Sequence, residues 1–157
     1  MRFLLFFILL IPLKISHDVL TLTSIKEKLS ESRVSKSELK CLVDNAFYEA
    51  RGEGHVGMLL VTQVVLNRAK QSNETYCQTI YKKNQFSWTV MKRLRSIPIE
   101  TRKEIEVLVL NVHYGLANHV IPSHLSHALF YHATYVRPSW FKTRKKLGYW
   151  GNHVFYH

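Results

Sequence analysis

The chain has 157 residues, enough for one domain with a core of its own and too few for two. Apolar residues make up 46%, ordinary for a globular protein, but 22 Lys and Arg against 11 Asp and Glu leave a formal net charge of +11. Such a surface favours an anionic partner, whether nucleic acid, anionic lipid or an acidic polymer, and the charge alone does not choose among them.

The chain opens with Arg2 and an apolar run from Phe3 to Leu13, interrupted by Lys14. The run is shorter than the ~20 residues of a spanning helix and has the length of a signal-peptide core. Residues 1–17 are therefore expected to be a signal peptide, with an uncleaved membrane anchor as the alternative, although no Ala-x-Ala cleavage pattern follows. This implies an exported protein, periplasmic or extracellular, with transient membrane association through that segment. Residues 18–34 read as a polar linker and 35–157 as the folded domain.

Ser35-Lys36-Ser37-Glu38 has the form of a capping box, in which Ser35 and Glu38 satisfy each other's amides. Leu39, Leu42, Val43, Ala46 and Ala50 follow at helical spacing and make one apolar face. Cys41 falls on the other side; with Cys77 it reads equally as a disulfide in an oxidising compartment or as one of two free thiols. Glu49 projects at the margin of the apolar face in the last turn, where the helix dipole disfavours an anion, and Gly52 and Gly54 end the helix. A carboxyl placed there has a raised pKa, as a general acid requires. The simpler alternative is a helix-end carboxylate paired with Arg51 or a nearby Lys.

The segment from about Val56 to Ala69 is apolar almost all round, the pattern of a helix in the middle of a domain. Asn67 and Arg68 at its end either cap it or position the next loop. A short helix is expected to start near Asn73, and another to run from Pro98 to about Asn118, with Thr101-Arg102-Lys103-Glu104 as a second capping pattern. Ala128-Leu129-Phe130-Tyr131-His132 and Asn152-His153-Val154-Phe155-Tyr156 are β-prone aromatic runs, expected to pair as two strands around a long loop, 133–151. That loop interleaves Arg137, Lys142, Arg144, Lys145 and Lys146 with Tyr135, Trp140, Phe141, Tyr149 and Trp150, which suits a polymer ligand or, alternatively, a solvated loop with its rings tucked onto the sheet.

Several blocks carry a resemblance. Tyr48-Glu49-Ala50-Arg51-Gly52-Glu53-Gly54, Val65-Leu66-Asn67-Arg68, Asn84-Gln85-Phe86-Ser87-Trp88, Ala128 to Ala133 and Gly151 to Tyr156 appear in the order found in the SleB-like, spore cortex-lytic cell-wall hydrolases, which this chain resembles. The resemblance implies an α+β, mainly α fold, with a lysozyme- or lytic-transglycosylase-like helical core and a small C-terminal antiparallel sheet. It implies cleavage of the glycan strands of peptidoglycan with Glu49 as acid/base. Gln85, Phe86, Ser87, Tyr131 and His132, with Thr134 beside them, are expected to line the substrate groove. Without a separate peptidoglycan-binding domain, general wall cleavage by a remodelling enzyme or a phage-type endolysin is expected rather than spore-cortex specificity.

The carboxylates narrow the mechanism. No Asp or Glu follows Glu106, so a pair of acting carboxylates would have to come from Glu49, Glu53 and Asp44. Asp44 falls on the polar side of its helix, and Glu53 is expected to cap the next helix as a structural, ionised group. One acting Glu suits a lytic transglycosylase, in which no water attacks. No cofactor, metal or nucleic acid is expected, and the protein is read as a monomer. The rival readings are a zinc-dependent wall amidase, suggested by seven histidines from His113 to His157, a nucleic-acid binder and a wall-binding protein without catalysis. The histidines lack a His-Glu-x-x-His spacing and are better read as hydrogen-bonding partners of the aromatic strands.

Overall fold

A computed structural model describes residues 33–157; the expected signal peptide, 1–17, and all but the last two residues of the expected linker, 18–34, lie outside the described residues. Four helices, α1 (Lys36–Ala50), α2 (Gly54–Ser72), α3 (Tyr76–Tyr81) and α4 (Ile99–His113), precede three strands, β1 (Phe130–Ala133), β2 (Lys146–Trp150) and β3 (His153–Tyr156). Helix α2 is the axis of the domain. One side, with Val61 and Val65, packs on Leu42, Val43, Ala46 and Phe47 of α1 and on Ile105 and Val109 of α4. The other side, with Leu59, Leu60 and Val64, packs on Val112, Ile121, Leu125 and Phe155. The all-round apolar pattern of this segment is thus buried on both sides, and the expected mainly α fold with a small C-terminal antiparallel sheet is the fold observed.

The capping residues act differently from their sequence pattern. Ser35 Oγ accepts from the Glu38 amide at 3.2 Å, but the Glu38 carboxylate does not reach back. It accepts from the amides of Tyr76 and Cys77, and so holds the start of α3 from 38 residues away in sequence. Helix α3 starts later than expected: Asn73 lies in the left-handed region at φ 54° and ends α2, and Thr75 forms a complete capping box with Gln78. Cys77 then meets Cys41, and the two are bonded with their Cα atoms 5.4 Å apart. Cys41 was expected outside the core; it is 8% exposed because α3 covers that side of α1. Asp44, expected on a polar face, is buried too, and is ion-paired with Lys40 and with Arg102 of α4 at 3.2 Å.

Helix α4 begins just after Pro98, so Thr101 lies inside it, and it stops at His113, five residues short of Asn118, where Gly115 adopts φ +72°. The expected two strands are three. β3 lies in the middle, antiparallel to β1 with Tyr131 opposite Phe155, and antiparallel to β2 with Trp150 opposite His153. The segment read as a long loop therefore contains a strand, preceded by a short 3-10 turn, Ser139–Lys142. Gly151-Asn152 is the two-residue hairpin turn between β2 and β3, with Gly151 at φ +51°. Glu53 holds this turn: its carboxylate accepts from the Asn152 amide at 2.8 Å and from Asn152 Nδ2 at 3.2 Å. It makes no side-chain cap at the start of α2, contrary to expectation. A Cβ on Gly151 would sit 1.7 Å from the Glu53 carboxylate and one on Gly57 2.3 Å from Glu53 Cβ, so both glycines make room for this contact.

The disulfide closes a 36-residue separation between α1 and α3. Replacing both cysteines with serine should destabilise the domain by about 3–4 kcal/mol, the loop-closure value for a ring of this size. Chemical denaturation of the parent and the variant measures this, and equal midpoints would mean that the helix contacts alone hold α3.

Candidate active site

An open cleft of about 830 Å³ lies where the C-terminal turn of α1, the end of α2, the Asn84–Ser87 segment and β1 meet. Glu49 stands in its wall, half-buried, and Tyr131 Oη donates a hydrogen bond to Glu49 Oε2 at 2.9 Å. Burial raises the Glu49 pKa above its usual 4.5, and the Tyr131 hydrogen bond opposes the rise by favouring the carboxylate. Burial, with the charge of and hydrogen bond to Glu49, pushes Tyr131 well above its usual 10, so it remains a phenol and a donor.

Both partners are positioned by residues far from them in sequence. Glu49 follows from the helical register of α1, whose apolar side is locked by the core; the adjoining Tyr48 ring lies 5.0 Å from Trp88, and Trp88 Nε1 donates to the buried Asn45 at 3.1 Å. Tyr131 is placed by its pairing in β1 and by Asn67 of α2, whose Nδ2 donates to the carbonyls of Ser126 and Ala128 at 2.9 Å each. Asn67 takes neither of the two roles read for it: it lies inside α2, and instead of the next loop it holds the distant entry to β1. Arg68 reaches the cleft beside it, 5.8 Å from the Phe86 ring centre and 5.3 Å from that of Phe130. Burial lowers its pKa, which the nearby Tyr131 partly offsets.

The sequence-derived site residues divide. Glu49, Gln85, Phe86, Ser87, Tyr131 and His132 all line the cleft. Gln85 and Ser87 present polar side chains, whereas Phe86 is only 5% exposed and forms the floor beneath Tyr131. His132 is tied at both ring nitrogens, to the Ala133 carbonyl at 2.8 Å and to Tyr156 Oη at 2.9 Å, and offers the cleft a fixed ring. Thr134 does not line the cleft; it lies in the turn after β1 and lines a separate groove.

Arg68, Trp140 and His153 also line the cleft and were not read as site residues. His153 carries a buried Nδ1 without a hydrogen-bond partner among the described residues, and burial lowers its pKa. It lies on β3, opposite Ala133 of β1 and Trp150 of β2. Glu53 and Asp44 are both outside the cleft, engaged elsewhere. Among the described residues lining it, Glu49 is the one carboxylate.

The sequence model of one protein family, described as Cell Wall Hydrolase, matches residues 52–156. The chain belongs to the cell wall hydrolase family. Glu49 lies just before the matched span, so its place rests on the geometry above. Two solved structures share the fold. The catalytic domain of the germination-specific lytic transglycosylase SleB from Bacillus anthracis is 24% identical with a TM-score of 0.63, covering 79% of this chain and 97% of that one. The catalytic domain of the Bacillus cereus SleB protein is 23% identical with a TM-score of 0.65, covering 80% and 93%. No curated protein matches the chain.

The raised pKa of Glu49 has a consequence for stability. Above pH 4.5 the unfolded chain has lost this proton while the folded protein still holds it, so folding binds the proton and loses stability as pH rises through the folded pKa. Glu49→Gln cannot ionise and keeps an oxygen for Tyr131. Its melting temperature relative to the parent should be higher at pH 7 than at pH 4; a pH-independent difference would contradict the burial of this carboxyl.

Proposed function

We propose that the protein cleaves the glycan strands of peptidoglycan as a lytic transglycosylase, with Glu49 as the single acid and base. The observation that carries this reading is the lone carboxylate in the cleft. An inverting or retaining hydrolysis ordinarily uses two carboxylates, one of them to activate water or to attack the sugar. Transglycosylation needs one. Neutral Glu49 gives its proton to the glycosidic oxygen as the bond from that oxygen to C1 of N-acetylmuramic acid breaks. The C6 hydroxyl of the same sugar closes on C1, and its proton passes to the Glu49 carboxylate, which restores the acid and leaves a 1,6-anhydro end.

Tyr131 serves both halves of this cycle. It orients the protonated carboxyl and stabilises the carboxylate once the proton has left. Gln85 and Ser87 supply hydrogen-bonding groups for sugar hydroxyls and acetamido groups, and Trp140 supplies an aromatic edge at the rim. The fold shared with SleB, a lytic transglycosylase by name, supports the same chemistry. Export is part of the proposal: the N-terminal apolar run and the Cys41–Cys77 disulfide both suit an oxidising compartment outside the cytoplasm. Cutting the cell's own wall from outside the cytoplasm fits either remodelling or lysis.

Purified peptidoglycan digested with the full chain and with its Glu49→Gln variant tests the reaction by mass spectrometry. Soluble muropeptides ending in 1,6-anhydromuramic acid from the parent alone are the expected result. Reducing ends would make the enzyme a hydrolase, and no soluble fragments from the parent would falsify the glycosidase assignment. Tyr131→Phe should lower kcat about ten- to a hundredfold, the effect of losing a hydrogen bond to a charged group. Because that bond holds the Glu49 pKa down, the alkaline limb of the pH–kcat profile should also move to higher pH; an unmoved limb would remove Tyr131 from this role.

A further inference from the structure

A second groove, of about 330 Å³, lies beyond β1 and shares His132 and Val136 with the wall of the cleft. Four cations line it: Arg137, Lys142, Arg144 and Lys146, all exposed. None has a carboxylate partner among the described residues, since the ion pairs there use Lys40, His55, Lys82, Arg102 and Lys103. No Asp or Glu occurs after Glu106, and Glu53, which reaches this part of the chain, is committed to Asn152. The cations are nevertheless held in place. Arg144 stacks 4.2 Å from the Phe130 ring centre, Lys146 5.0 Å from that of Tyr149, and Arg137 and Lys142 flank Phe141 at 6.0 and 5.9 Å. Aromatic faces that fix cations without neutralising them leave their charge available to a ligand.

We propose that this groove is a subsite for the carboxylates of the peptide stem carried by N-acetylmuramic acid. The inference rests on the glycan-cleaving reading and adds what the enzyme recognises beyond the sugars. The stem leaves the same sugar whose C1 reacts at Glu49, through the lactyl ether on its ring. An anion on that stem has to leave the cleft sideways, and the groove adjoins the cleft, His132 and Val136 lining both. Its floor is aromatic and its rim cationic, which matches a short peptide bearing methyl groups and several free carboxylates. A glycan stripped of its stems offers this groove nothing. The enzyme should therefore favour glycan that still carries peptide.

The test uses the full chain carrying Glu49→Gln, so that nothing is cleaved, and fluorescent glycan strands with their stems intact or removed by an amidase. Stem-bearing strands should bind at least about tenfold more tightly. Adding Lys142→Gln and Lys146→Gln should remove about tenfold of that affinity, the effect of two exposed charge pairs, and leave binding of stripped strands unchanged. Arg137→Gln alone reads the same groove if the double variant melts early. Equal affinity of the Glu49→Gln chain for both strands would overturn the subsite, as would an equal loss on both strands when the lysines change. Inorganic polyphosphate that displaces stem-bearing strands at lower concentration than free muramoyl peptide does would assign the groove to phosphate polymers instead. The readout is binding by a chain that cannot cut, so absence of anhydro products from the parent would count against the reaction and not against this groove.

Discussion

The hydrogen bond from Tyr131 to Glu49 joins residues 82 apart in sequence, and much of the architecture serves to hold its two ends. For the acid role proposed for Glu49, the carboxyl must be desolvated enough to keep its proton, yet must face an open cleft. Helix α1 meets the first demand by ending against a core that buries its apolar side, while the phenol limits how far the pKa climbs. Helix α2 meets the second. Packed on both sides, it cannot shift without disturbing both core clusters, and Asn67 and Arg68 near its end reach across to the strand and the cleft.

The helical half was legible because its signals are local. Apolar spacing along α1 and α2 was enough to find both helices and to put Glu49 at a margin. The misread residues have partners that no local pattern could show. Glu38 resembles half of a capping box, but its carboxylate has a better use at the two unpaired amides of α3. Asp44 sits on the polar side of α1, yet that side is covered by α4, and its charge is answered by Arg102. Glu53 precedes a helix, as a cap would, but a turn 99 residues later offers it two donors.

The C-terminal sheet was half legible for a different reason. The strands Phe130–Ala133 and His153–Tyr156 are rich in aromatic residues. The strand between them, Lys-Leu-Gly-Tyr-Trp, begins with a charge and carries a glycine and a register shift, so its alternation is broken. The Gly151-Asn152 pair was the signal that could have found it, being a recognised two-residue hairpin turn. The family blocks, by contrast, pointed to the right places without explaining them: Asn67 fixes a strand entry, and Gly151 makes space for a carboxylate.

The order of the strands has a consequence for how the protein comes into being. β3 is the central strand, and it follows both of its neighbours in the chain. As the chain folds, α1, α2 and α4 can come together while β1 still has no strand to pair with. During that interval Tyr131 has no sheet to hold it, and Glu49 has an incomplete cleft. Only when residues 153–156 join can the sheet close and Glu49 meet Tyr131. The Tyr131–Glu49 contact therefore waits on the last strand of the domain, a timing written into the topology.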